Sequence, residues 1–121
     1  MEKKIIFTED APFPLGPYSQ AVLAGDTLYC SGQIAVGLLD ADVAAQTEQV
    51  CKNITAVLAA AGMQLTDVVK TMCFLGDMAD FAAFNAVYEQ YFAHKPARST
   101  VAAKQLPKDA LVEVEVIAVK G

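Results

Sequence analysis

Two carboxylates stand two residues apart near the end of the chain, in Leu111-Val112-Glu113-Val114-Glu115-Val116-Ile117-Ala118-Val119. Successive side chains of an extended strand point to opposite faces. Val112, Val114, Val116 and Ala118 therefore share one face, and Glu113 and Glu115 share the other with Leu111, Ile117 and Val119. Glutamates in such a place are either structural, on a wetted or ion-paired face, or proton acceptors of perturbed pKa. The functional reading needs a cation, and Arg98 is the candidate. It sits in the small, otherwise uncharged string Pro96-Ala97-Arg98-Ser99-Thr100-Val101, at the start of a short strand that could lie beside the last one. A guanidinium there can take a carboxylate through two parallel hydrogen bonds and fix the orientation of a small anion. A plain surface arginine is the ordinary alternative.

Gly16-Pro17-Tyr18-Ser19-Gln20 and Ser31-Gly32-Gln33 each set polar side chains beside a glycine at the edge of an expected strand, where backbone can approach a ligand closely. Turns produce such strings as well. His94 is the only histidine, and Cys30, Cys51 and Cys73 are odd in number and widely spaced. They spell out no nucleophilic triad, disulfide framework or Cys/His metal cage, and read as reduced, buried thiols. No G-x-G-x-x-G or G-x-x-x-x-G-K-[ST] string occurs.

The elements that must position these residues alternate closely. A strand is expected around Lys4 to Phe7, then an ordered loop holding Pro12, Pro14 and Pro17. Ser19 to Leu23 and Thr27 to Val36 read as strands joined by a tight turn at Gly25-Asp26. Asp40 or Asp42 can cap a long helix whose apolar positions run from Val43 to Ala61 before Gly62 ends it. Val68 to Leu75 is a strand. Phe81, Phe84, Val87, Tyr88, Tyr91 and Phe92 form the stripe of a second helix opening near Asp77 or Asp80, and the stripe reads as core rather than ligand box. Arg98 to Ala102 and Leu111 to Val119 complete the order βββαβαββ. That order fits an α+β layer, two helices on one face of a mixed sheet, over residues 1–121 as a single domain.

Nine Lys and Arg against 14 Asp and Glu give a net charge of −5, so nucleic acid is not the default partner. No apolar run reaches the roughly 18 residues of a membrane span, and Met1 to Phe7 is too short and too soon polar for a secretory segment. The chain reads as cytoplasmic. Apolar residues make up 55% of it, more than so small a body hides easily, so a homo-oligomer is expected.

Gly16-Pro17-Tyr18-Ser19-Gln20, Ser31-Gly32-Gln33-Ile34, Asn85 within Phe84-Asn85-Ala86-Val87-Tyr88, Pro96-Ala97-Arg98-Ser99 and Glu113-Val114-Glu115-Val116-Ile117-Ala118 also occur here in the order of one family. From about Ile5 to Val119 the chain resembles the Rid family of reactive intermediate deaminases, also known as YjgF or L-PSP endoribonuclease proteins. The resemblance implies a chorismate-mutase-like fold and a homotrimer with a central β-barrel and clefts between subunits. It implies hydrolysis of 2-imino acids, released as enamines by pyridoxal-phosphate-dependent dehydratases, to 2-oxo acids and ammonia without cofactor or metal. Carried over residue by residue, Arg98 would grip the substrate carboxylate with the backbone N–H of Thr100, and Glu113 would activate water. Gly32 and Tyr18 would meet the imine side, and Ser31 and Asn85 would shape the cleft. Thr100 stands where many members of the deaminase branch carry cysteine, and the loops at Val36 to Asp40 and Ala93 to Lys95 are shorter than usual. Two further classes compete: a trimeric binder of small carboxylates, for which Glu113 would be dispensable, and a ribonuclease, against which the charge and the single histidine weigh.

Overall fold

The computed structural model describes residues 2–121, and its elements follow the expected order. Met1, part of the opening segment weighed above, lies outside them. Strands β1 (Lys3–Ile6), β2 (Ala21–Ala24) and β3 (Thr27–Cys30) form an antiparallel meander, with Gly25 supplying the positive φ (61°) of the tight turn. Helix α1 (Val43–Ala60) is capped by Asp42, not Asp40: the Asp42 carboxylate accepts from the Ala45 N–H at 2.9 Å. Strand β4 (Val68–Leu75) follows. Asp77 caps only a 3₁₀ turn, Met78–Asp80, and helix α2 (Phe81–Tyr91) begins after it. Strands β5 (Ala97–Ala102) and β6 (Val112–Val119) close the chain.

The sheet order is β1-β2-β3-β6-β4-β5, antiparallel throughout except for β4 and β5. This corrects the expectation that the arginine strand lies beside the last one. A parallel neighbour requires a helix-sized crossover, and β4-α2-β5 is such a unit, so β5 takes the outer edge and β4 stands between it and β6. Two other expected strands are shorter. The one expected from Ser19 starts at Ala21, because the buried Gln20 amide is bound to the proline loop: its nitrogen donates to the carbonyls of Thr8 and Pro12 at 3.0 Å, and its oxygen accepts from the Thr8 N–H at 2.8 Å. The one expected to reach Val36 stops at Cys30. Beyond it only Gln33 meets Val114 as an isolated bridge.

Both helices lie on one face. Leu28, Cys73, Leu75, Val112, Val114 and Val116 pack there against Val50, Ile54, Leu58, Phe84 and Tyr88, and the three cysteines are buried as free thiols. The opposite face carries no helix. Ile5, Val22, Tyr29 and Ile117 lie level across it in consecutive strands, with Ile5 69% and Tyr29 52% exposed. No helix of the described residues is long and apolar enough to cross a membrane.

Candidate functional site

Arg98 is level with Thr71 on β4, which is level with Val116 on β6. Thr71 and Val116 are buried under the helices, so the arginine side chain rises on the helix face. There α2 presents Phe81, Asn85 and Tyr88 at helical spacing, one side of the helix turned toward β5. Arg98 Nη1 donates to Asn85 Oδ1 at 2.6 Å, and its Cζ lies 4.8 Å from the Tyr88 ring centre and 5.5 Å from that of Phe81. Glu89 and Lys95 line the same shallow cleft. Even so, the only ion pair within 4.0 Å among the described residues is Lys52 with Glu48, so the guanidinium charge is unneutralised.

Glu113 is level with Phe74 of β4, which is level with Val101 of β5, on the face without helices. The half-buried carboxylate lies directly on Gly32, and a Cβ added at position 32 would overlap Glu113 Oε2. A side chain at position 32 would fill the space the carboxylate uses. Burial first, and the charge of Glu115 second, raise the Glu113 pKa above the ordinary carboxylate value. Tyr18, Ser31, Gly32, Glu113, Glu115 and Lys108 line a cleft of about 570 Å³ whose remaining walls are largely apolar. Ser31 Oγ donates to the Ser19 carbonyl at 2.6 Å, so this side chain shapes the loop. Lys108, at the rim, holds a left-handed conformation (φ 56°), which a residue with a Cβ adopts only under constraint.

Thr100 pairs with Cys73 across β5 and β4, and its Oγ1 is buried without a hydrogen-bond partner. The Cys73 thiol is itself buried, and that burial raises its pKa, so it carries little thiolate. His94 lies apart, its Nε2 2.9 Å from the Val68 carbonyl. No group of three or more His, Cys, Asp or Glu among the described residues could hold a metal ion.

The candidate residues thus form two groups. Tyr18, Ser31, Gly32 and Glu113 share one cleft, and Arg98 and Asn85 share another. Arg98 and Glu113 lie on opposite faces of one sheet, with β4 between their strands, and do not meet within the chain. Sequence reasoning missed Phe81 and Tyr88 as partners of Arg98. The signal was the spacing Phe81, Asn85, Tyr88, in which a polar residue interrupts the aromatic stripe on the side that faces the arginine.

The endoribonuclease L-PSP family model matches residues 8–120. A RutC family protein of Pyrococcus horikoshii is 50% identical over 124 residues, spanning 98% of this chain and 98% of its own. The 2-iminobutanoate/2-iminopropanoate deaminase of Escherichia coli K12 is 46% identical over 125 residues, spanning 97% and 98%. The crystal structure of E. coli TdcF with bound serine superposes with a TM-score of 0.93 at 41% identity, covering 98% of this chain and 99% of that one.

Proposed function

The chain belongs to the endoribonuclease L-PSP family, the YjgF or Rid family, and from that premise we propose that it hydrolyses 2-imino acids to 2-oxo acids and ammonia, in a site completed by a second copy of itself. The observation that carries the reading is the division of the site. An oriented guanidinium with no carboxylate partner and a half-buried carboxylate of raised pKa lie on opposite faces of one sheet. A ligand small enough to need both can reach both only where the edge strand of one copy approaches the glutamate cleft of another. The apolar face without helices supplies the surface for that contact, and closing three such faces around an axis gives the trimeric barrel the family implies. The deaminase name of one relative and the serine in the structure of another, an amino acid with a carboxylate, agree with this reading.

The chemistry follows from the two halves. Arg98, with the backbone N–H of Thr100, holds the substrate carboxylate, and Asn85 holds Arg98. The C2 carbon of a protonated imine is already electrophilic, so orientation and a base suffice. Glu113 takes a proton from water as the water oxygen bonds to C2, giving a tetrahedral carbinolamine. It returns that proton to the nitrogen and the C–N bond breaks; as ammonia departs, Glu113 takes the hydroxyl proton, the hydroxyl becomes the carbonyl of the 2-oxo acid, and the proton leaves with ammonia as ammonium. A carboxylate whose pKa burial has raised is a stronger base than an exposed one, and protonates the leaving nitrogen from the same position. Tyr18 and the Gly32 backbone face the imine end, and Ser31 holds the loop beneath it.

The test is the loss of 2-iminobutanoate generated in solution by an amino-acid oxidase, with semicarbazide competing for the free imine. Faster conversion with the protein, at less semicarbazide adduct, is the expected result; no acceleration by folded protein rejects the deaminase. A companion prediction concerns Gly32. Gly32→Ala pushes a methyl group into the Glu113 carboxylate, and overpacking of this kind typically costs about 1–3 kcal/mol or displaces the neighbour. Turnover is expected to fall roughly 10–100-fold through the displaced base. Unchanged kcat would mean that the carboxylate is free to move without consequence.

A further inference from the structure

Everything that orients Arg98 is neutral. An acidic partner would also hold a guanidinium still, but it would cancel the charge that a carboxylate ligand comes to meet. Here the orientation comes from Asn85 Oδ1, which occupies one Nη1 donor, and from two aromatic rings within about 6 Å of the cation, the range in which the negative face of a ring attracts it. The other guanidinium donors are left for a ligand. The Tyr88 ring is in turn rigidly placed: it stacks on Phe92 with centroids 4.6 Å apart, leans on Phe84 at 5.3 Å, and its hydroxyl pairs with Thr71 at 2.7 Å on the strand beside Arg98.

We infer that Tyr88 and Phe81 are positioning residues for substrate binding, their ring faces holding the Arg98 guanidinium in the geometry that receives the carboxylate while leaving its charge unspent. The inference rests on Arg98 being the carboxylate anchor and assigns the anchor's affinity to the rings. The Tyr88 hydroxyl has a separate role, fixing the ring against β4. Removing the ring must therefore weaken binding of the anion more than it slows the chemical step, which takes place at the Glu113 end.

The experiment measures KM and kcat for 2-iminobutanoate, and Kd for the product-like 2-oxobutanoate by calorimetry, on wild type, Tyr88→Leu, Tyr88→Phe and Phe81→Leu. Tyr88→Leu is expected to raise KM and Kd about tenfold with kcat within about twofold, Tyr88→Phe to bring both back within about threefold of wild type, and Phe81→Leu to raise both about threefold. Unchanged KM and Kd in Tyr88→Leu, loss confined to kcat, or a Tyr88→Phe variant as weak as Tyr88→Leu would overturn the inference. If Tyr88→Leu does not fold, Phe81→Leu decides on the same readouts, because Phe81 is only partly buried. Wild type that binds 2-oxobutanoate without hydrolysing the imine would reject the deaminase and leave the rings judged by Kd. Wild type that binds no 2-oxo acid would reject the anchor and the inference together.

Discussion

Arg98→Ala is expected to lower kcat/KM for 2-imino acids by roughly 10²–10³-fold while the fold survives. The size follows from what is lost: truncating one side of a partly buried, hydrogen-bonded charge pair typically costs about 2–5 kcal/mol in binding. The fold survives because Arg98 is on the edge strand, in no ion pair among the described residues, and contributes to the core only through the rings it lies over. Arg98→Lys should recover a small part of the activity, since an ammonium restores charge but not the planar fork that takes both carboxylate oxygens. Kinetics with 2-iminobutanoate, together with thermal melts of each variant, check both points. Wild-type rates in a folded Arg98→Ala protein would remove the anchor from the mechanism. Equal losses for Arg98→Lys and Arg98→Ala would show that the fork, and not the charge, is what the substrate needs.

The order of elements, the two-helix face and the alternation of β6 were legible because they follow from local periodicity. Val112, Val114, Val116 and Ala118 are buried, and Glu113 and Glu115 turn to the other face, as period two requires. Strand pairing was not legible. Nothing in Arg98 to Ala102 says which neighbour it takes, and only the crossover through α2 places it parallel to β4. The strand ends at Ala21 and Cys30 were misread for a related reason. Beside them lie contacts that local periodicity does not record: Gln20 reaches back to Thr8 and Pro12 across 8 to 12 residues, and Glu113 lies on Gly32 from a distant strand. The candidate residues themselves came from motif strings, which record residue types but not faces. The strings could not reveal that Arg98 and Glu113 are separated by the sheet, nor that the aromatic stripe of α2 gives Phe81 and Tyr88 to the arginine.

Glu113→Gln is expected to reduce kcat by about 10²–10⁴-fold, the range for removing a positioned general base, with KM changed little because the anchor is elsewhere. The substitution keeps the side chain's shape against Gly32 and removes only its charge and basicity. Stability should not suffer. Burial and Glu115 raise the folded-state pKa of Glu113, so relative to the unfolded chain the group costs nothing at pH below its unfolded pKa. The cost appears as pH rises through the folded pKa, and the amide escapes it at neutral pH. The same shift gives wild type an acid limb in kcat/KM, activity falling as pH drops through a value above the ordinary carboxylate range. In Glu115→Gln that limb should move to lower pH, because one of the two causes of the shift is gone. A limb unmoved by Glu115→Gln would mean that some other group is titrating. Glu113→Gln also separates hydrolysis from mere binding, since a carboxylate-binding module would keep its Kd for 2-oxobutanoate and have no turnover to lose. Finally, a site shared between copies predicts that the two variants complement each other. Co-expressed at equal levels, Arg98→Ala and Glu113→Gln chains would form mixed assemblies in which roughly a quarter of the sites combine an intact arginine from one copy with an intact glutamate from the next. Activity at about that fraction of wild type is expected. Mixed assemblies as inactive as either variant alone would reject a site shared between copies, which the opposite faces of Arg98 and Glu113 call for.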